Sequence, residues 1–424
     1  MDLGPFPAVS GYDEAASLDS TDALAGFRDR FLIDNSQLIY LDGNSLGRLP
    51  KNALGIIDEV THRQWGERLI RSWNEGWWEL QLRLGDQLAP LIGAESGEVI
   101  ISDSTSVNVY KLALAALDAR PDRSTIVTDD LNFPTDLYIL EGIAERTGRS
   151  LRIVQSDGVI GPVEHLGAAI DEDTALVSLS HTVFKSGYTY DLGEITRLAH
   201  EAGALVLWDC SHSVGAVPID LDSADVDLAV GCTYKYLNGG PGSPAWLYVR
   251  SDLQDRLTNP ITAWWGHAEP FRFGLEFEPV AGIRRFHTGT MPILSLAAIE
   301  AGVADVLDAG IDQIRDKSVQ LSEYLIDQVE EHLAPLGFGV ASPRDVELRG
   351  SHVSVSHPDA WPLTRALVET VQVVPDYRTP DNLRFGLAPL YNTFVEVHTA
   401  VQRLLRIVET EAHLAFSDAT ADVT

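Results

Sequence analysis

The stretch Ala204-Leu-Val-Leu-Trp-Asp209, followed by Ser211-His212 and then by Gly231-Cys-Thr-Tyr-Lys235-Tyr-Leu-Asn-Gly-Gly-Pro-Gly242, decides the fold. One apolar run ends in Asp209; a second, Leu228-Ala-Val230, leads into Tyr234-Lys235 and a glycine-rich turn. Short continuous apolar runs bounded by turn residues read as strands buried on both faces. The pair presents an acid and an amine at the same end of neighbouring strands.

Working upstream, strand-like runs recur at 98–102, 125–128, 151–154 and 175–179. Helical periods lie between them, at 107–119, from 137, at 165–170 and at 192–202. This alternation predicts an α/β fold built on a mostly parallel sheet covered on both faces. Ligands of such sheets bind beyond the carboxyl ends of the strands. The fold therefore gathers Asp209, Ser104 with Thr105, and residues 133–136 on one edge. Hydroxyl residues at a strand-to-helix turn are ordinary N-caps. They also mark a helix N-terminus whose free N–H groups and dipole receive a phosphate. Both readings stay open on those residues alone.

The first forty residues read as an arm packed on the main body, with a helix over 21–31 started by Ser20, Thr21 and Asp22. A short strand then runs into the turn Leu41-Asp-Gly-Asn44-Ser45-Leu-Gly47. Residues 51–71 are helical in period, and Trp73, Trp77 and Trp78 interrupt them as either core or a pocket wall. From about residue 259 the text becomes loop-like through Trp264-Trp265-Gly266-His267 and Gly289-Thr290-Met291-Pro292. A helix follows from 293, then a helix over 312–333, strands near 338 and over 352–356, and a final helix over 395–409. The expected division is an arm (1–40), a large domain (41–300) and a smaller α+β C-terminal domain (301–415). The last residues, 416–424, are expected to fray.

Composition bounds the function. The 424 residues carry 31 Lys+Arg against 62 Asp+Glu, a net charge of −31, which disfavours nucleic acid and acidic membranes as partners. A small anionic ligand is still allowed, because local donors hold it. Cys210 and Cys232 are the only cysteines, so a disulfide framework is excluded and a reducing cytoplasm is the expected setting. Met1-Asp-Leu-Gly-Pro-Phe-Pro7 does not read as a secretion signal, and no apolar run is long enough to cross a bilayer. No metal site is expected.

An acid and an amine at adjacent strand ends suit pyridoxal phosphate (PLP). Lys235 would hold the cofactor as a Schiff base while Asp209 keeps its ring nitrogen protonated. A surface lysine and a strand-end cap are the plain readings of these two residues, but a buried strand before Lys235 argues against the first. His212 is placed to pack on or hydrogen-bond the ring, Phe133 to stack on it, and Asp136 to reach its phenolic oxygen. Tyr234 offers a phenol to a phosphate oxygen or to a proton transfer. Arg384, in Asp381-Asn-Leu-Arg-Phe-Gly386, is a candidate clamp for a carboxylate, since a guanidinium grips one with two parallel bonds.

These segments together resemble the kynureninases, PLP enzymes of the aminotransferase class V group, and the bacterial members above all. The resemblance is carried by Trp208 to Pro218, Gly231 to Gly242, Leu41 to Gly47 and Asn132-Phe-Pro-Thr-Asp136, and continues through Trp264, Gly266-His267, Gly289-Thr290 and Arg384 with Pro389-Leu-Tyr391. It implies the type I PLP-dependent transferase fold. It implies that Ser104, Thr105, Phe133, Asp136, Ser180, Asp209, His212 and Tyr234 hold the cofactor with Lys235. Trp264 and Thr290 would reach the phosphate from the second subunit of a homodimer with shared sites, and Arg384, Asn44, Ser45 and Trp73 would meet an amino-acid substrate. The implied reaction is hydrolysis of the Cβ–Cγ bond of L-kynurenine to anthranilate and L-alanine, with Lys235, Tyr234 and Asp209 as catalytic residues. Ala263 before Trp264, Cys210, and Thr182-Val183-Phe184 depart from the family pattern. They leave open 3-hydroxykynurenine or another aryl γ-keto amino acid as substrate.

Other readings are weaker. A class V aminotransferase shares the lysine unit, while a desulfurase needs a nucleophilic cysteine on a separate mobile loop. An NAD-dependent dehydrogenase needs a Gly-x-Gly-x-x-Gly turn after its first strand, which is absent. A catalytically dead binding module is opposed by Lys235, Asp209 and Arg384 standing together.

Overall fold

A computed structural model describes residues 9–417. The expectations for Met1 to Pro7 and for residues 418–424 lie outside the described residues.

The centre is a seven-stranded sheet. Five strands run parallel in the order Leu228–Gly231, Leu205–Asp209, Thr174–Ser180, Thr125–Asp129 and Ser150–Val154. Trp246–Val249 adds antiparallel to Leu228–Gly231, and Val99–Ile101 adds antiparallel to Trp246–Val249. Each inner strand is buried along its whole length, which is why these runs are apolar without alternation. The helices Thr105–Asp118, Pro134–Thr147, Val163–Ala169 and Leu192–Glu201 make the crossovers. Register sets the site: Ser180 pairs with Asp209, and Asp209 with Val230. The polar ends Ser180 and Asp209 therefore line up on one edge, next to the end of the strand that leads to Lys235.

A second sheet, all antiparallel, has the order Asp376–Arg378, Asn382–Gly386, His352–Ser356, Gly339–Val340. Its apolar face is covered by Ile311–Gln328, Ala360–Val371 and Phe394–Glu409, and a separate hydrophobic cluster fills the space between. The alternation His352-Val-Ser-Val-Ser356 is that of a sheet with one face on a core.

The N-terminal helix differs from expectation. It spans Tyr12–Thr21, not 21–31, and 25–30 form only a 3-10 turn. Asp22, read as a start residue, pairs with Lys317 at 2.7 Å, and Asp19 nearby caps the distant helix Phe394–Glu409 through the amides of Phe394 and Val395, at 2.8 and 3.0 Å. The helix packs on Phe394–Glu409, so this segment lies against the C-terminal layer. Ile39–Tyr40 likewise pairs with Val373–Val374. Among the described residues no helix is long and apolar enough to cross a membrane.

Candidate active site

The carboxyl edge of the main sheet and the inner edge of the second sheet close on a cavity of about 220 Å³. Asn44, Ser45, Thr105, Phe133, Asp136, Asp209, His212, Tyr234, Lys235 and Arg384 line it, all of them among the residues singled out above. Ser106, Thr135, Ser211 and Arg378 line it too. The first three neighbour residues already named; Arg378 was missed, although it stands two residues after Asp376 on a strand and shares its face.

Lys235 reaches the cavity from the loop that follows Leu228–Gly231. Its Nζ lies 2.7 Å from His212 Nε2. Burial, then the charges of Lys235 and Arg384, hold the His212 ring well below its usual pKa, so it faces the lysine as a neutral acceptor. His212 Nδ1 is buried and has no partner among the described residues.

Asp209 closes its strand, and one carboxylate oxygen accepts from the Ser211 amide at 2.8 Å. Asp136 lies against it, in the first turn of Pro134–Thr147. Burial, then the charge and hydrogen bond of Asp209, push the Asp136 carboxyl well above the usual carboxylate range. The loop carrying Phe133 and Asp136 is anchored by Asn132, whose amide donates to Thr128 Oγ1 at 2.7 Å and to the Ser178 carbonyl at 3.0 Å, and accepts from the Ser180 amide. Ser180 thus sits behind the cavity wall. Phe184 stands edge-on to Phe133 at 5.2 Å.

Ser104 is an N-cap here, accepting from the Val107 amide, and Thr105 and Ser106 begin the helix. The first-turn N–H groups of that helix point into the cavity end of the sheet, as an anion site requires. The Tyr234 phenol is kept protonated, its pKa pushed up by Cys232 beside it and by burial.

The opposite wall belongs to the second sheet. Asp376 stands directly across from Arg384 and pairs with it, and Arg384 also donates to Ser45 Oγ at 2.9 Å and to the Phe184 carbonyl. With its amide oriented to suit its neighbours, Asn44 accepts from Arg384 Nε at 3.0 Å and donates to Asp42 at 3.1 Å. The turn bearing Asn44 and Ser45 is held at both ends: Gly43 donates to the Gly386 carbonyl and Gly47 to the Tyr234 carbonyl.

Two expected cofactor residues, Ser104 and Ser180, stand beside the cavity rather than in its lining, and three further expected residues lie elsewhere. Trp73 packs edge-on between Trp77 and Trp265 in an aromatic cluster, away from the cavity lining. Trp264 is 40% exposed and stacks on Phe273, and Thr290 is exposed. Among the described residues, Trp264 and Thr290 are not part of the cavity lining.

The residues fit a flat, phosphorylated aldehyde cofactor. A half-buried amine stands at the floor, a carboxyl pair behind it, an aromatic wall beside it and a helix N-terminus at one end. Similar solved structures have the same architecture. The apo cysteine desulfurase of Thermococcus onnurineus NA1 gives a TM-score of 0.78 at 20% identity, over 91% of this chain and 98% of the other. The cysteine desulfurase CsdA of Escherichia coli gives 0.75 at 18% identity, over 93% and 98%. Fold and site thus define an α/β protein with a polar cavity at the carboxyl edge of its main sheet. Closer relatives narrow this. Kynureninase of Pseudomonas fluorescens is 45% identical over 404 residues, 94% of this chain and 95% of the relative, and that of Burkholderia pseudomallei is 44% identical over 413 residues, 96% and 98%. The model of the kynureninase C-terminal domain matches residues 314–404. The chain belongs to the kynureninase family.

Proposed function

We propose that this chain binds pyridoxal phosphate and hydrolyses L-kynurenine at its Cβ–Cγ bond, adding water to give anthranilate and L-alanine. The observation that carries the reading is the juxtaposition of Lys235, His212 and the Asp136–Asp209 pair in one cavity with Arg384, in a chain 45% identical to a kynureninase.

When bound, the cofactor supplies an electron sink joined to the substrate nitrogen. The protein's own groups do the rest. Lys235 holds the cofactor at rest and, once freed by the substrate, carries the Cα proton, with His212 as the neutral acceptor that positions its amine. Asp209 holds the proton on the cofactor's ring nitrogen, and Asp136 supports that carboxylate from behind. Thr105 and Ser106 offer the helix N-terminus to the phosphate. Arg384 binds the substrate carboxylate, oriented by Asp376, Asn44 and Ser45. The Tyr234 phenol, still protonated at neutral pH, is the proton source for the departing alanine carbon.

The active form is a homodimer. An exposed apolar surface supports this: Phe271, Phe273 and Leu275 are 63%, 73% and 104% exposed, beside Trp264. That surface would place Trp264 and Thr290 against the partner's phosphate site. Two buried free thiols agree with a reducing, cytoplasmic setting.

The test is release of fluorescent anthranilate from L-kynurenine by the cofactor-loaded protein, with 3-hydroxykynurenine compared at matched concentrations. Cofactor absorbance with no anthranilate release from either ligand overturns the reading.

A further inference from the structure

The cavity contains two guanidinium groups, and the proposed function uses one of them. Arg384 is 1% exposed and its donors are largely committed within the protein: Nε to Asn44, Nη1 to the Phe184 carbonyl, Nη2 to Asp376 and Ser45. Arg378 lines the same cavity with a side chain 32% exposed. It grips Asp376 from the other side, Nη1 to Oδ1 at 3.0 Å and Nη2 to Oδ2 at 2.9 Å. Its Nε is buried with no acceptor among the described residues. Asp376 therefore serves two cations at once. Asp42, the other carboxyl of this cluster, has its pKa raised to about 7, by burial and then by Asp376, so it offsets the excess only in part. A cationic cluster with an unpartnered buried donor, facing a cavity, calls for an anion.

Two anions enter this cavity in the reading above. The cofactor phosphate belongs at the helix N-terminus of Thr105 and Ser106, on the first sheet. The substrate carboxylate belongs on the second sheet, beside Arg384. We propose that Arg378 is a second recognition residue for the substrate α-carboxylate, sharing the anion with Arg384 and selecting amino acids over amines. The proposal rests on the kynurenine reading. The ordinary alternative is an ion pair of residues 376 and 378 that only stiffens its strand.

The test uses cofactor-loaded protein in a Lys235→Ala background, which holds the ligand without turning it over. Calorimetric titration gives dissociation constants for L-kynurenine and for its decarboxylated amine analogue, with and without Arg378→Gln. The expected result is a loss of about tenfold or more for L-kynurenine, from a missing charged hydrogen bond, with little change for the amine and for cofactor affinity. Arg378→Lys, which keeps the charge and the ion pair with Asp376, is expected to fold as the parent does and to lose an intermediate amount. Equal losses for both ligands, no loss for either, or a fall in cofactor affinity overturns the assignment. A parent protein that binds neither ligand overturns the functional reading and the assignment with it. A parent that prefers L-kynurenine, with that preference intact in both Arg378 variants, overturns the assignment alone.

Discussion

The amide of Gly47 donates to the carbonyl of Tyr234 at 2.8 Å, tying the turn that carries Asn44 and Ser45 to the loop that carries Lys235. A Cβ on Gly47 would collide with the Lys235 carbonyl and the Asn238 side chain. Backbone meets backbone there, so neither side can yield cheaply. Gly47→Ala is expected to push the two walls of the cavity apart and to lower kcat/KM by about 10²-fold, the usual cost of misplacing reacting groups by an ångström. Steady-state assay with a melting curve checks this; wild-type kinetics in Gly47→Ala would show that the contact does not set the site.

Asp209 is buried, close to Asp136 and bonded to the Ser211 amide. Removing its charge leaves the strand Leu205–Asp209 intact but takes away the group assigned to the cofactor's ring nitrogen. Asp209→Ala should keep the far-ultraviolet spectrum of the parent and lose about 10²–10³-fold in turnover, the scale of one electrostatic partner in a dry site. Full activity in that variant would sink the electron-sink assignment.

Asp129 sits at the end of its strand, accepting from the amides of Leu131 and Asn132 at 3.0 and 3.1 Å and from the Tyr190 phenol. Burial outweighs these bonds and raises its pKa to about 6. The folded state then holds a proton that the unfolded chain releases near pH 4. Stability from this group is fully present below the unfolded value and is lost as pH rises through about 6. Asp129→Asn mimics the protonated form and keeps the acceptor for both amides. Its cofactor-free protein should show less loss of stability between pH 4 and 7 than the parent, by up to about 3 kcal/mol. Denaturant titrations across that range decide; parallel profiles for the two proteins would place the titration elsewhere.

Much of the main sheet and half of the cavity were legible in the chain, because buried parallel strands leave apolar runs whose polar last residues announce the edge. Asp209 and Lys235 are of this kind. Asp376 and Arg378 were not legible. Their significance comes from pairing across strands, Asp376 opposite Arg384, and a strand of three residues carries no periodic signal to predict that register. The helix Tyr12–Thr21 was misplaced for a related reason: Asp22 looks like a helix-start residue, and it serves Lys317, some three hundred residues away. Trp73 read more readily as core than as pocket wall, its substrate role came only from the resemblance, and in the single chain it is packed among other tryptophans.

That last point bears on assembly. Trp264 stacks on Phe273 at the surface with Phe271 edge-on to both, and Leu275 beside them is fully exposed. Water is a poor solvent for such a patch, and a second copy of the chain is the partner that would also bring Trp264 and Thr290 to a phosphate site. Cofactor retention should then depend on protein concentration. Diluting the loaded protein through its dimer–monomer transition, followed by sedimentation and by cofactor absorbance, is expected to release the cofactor in step with dissociation. Phe273→Asp with Leu275→Asp should shift both transitions together to higher concentration. A demonstrated monomer that keeps its cofactor would show that each chain holds the phosphate alone.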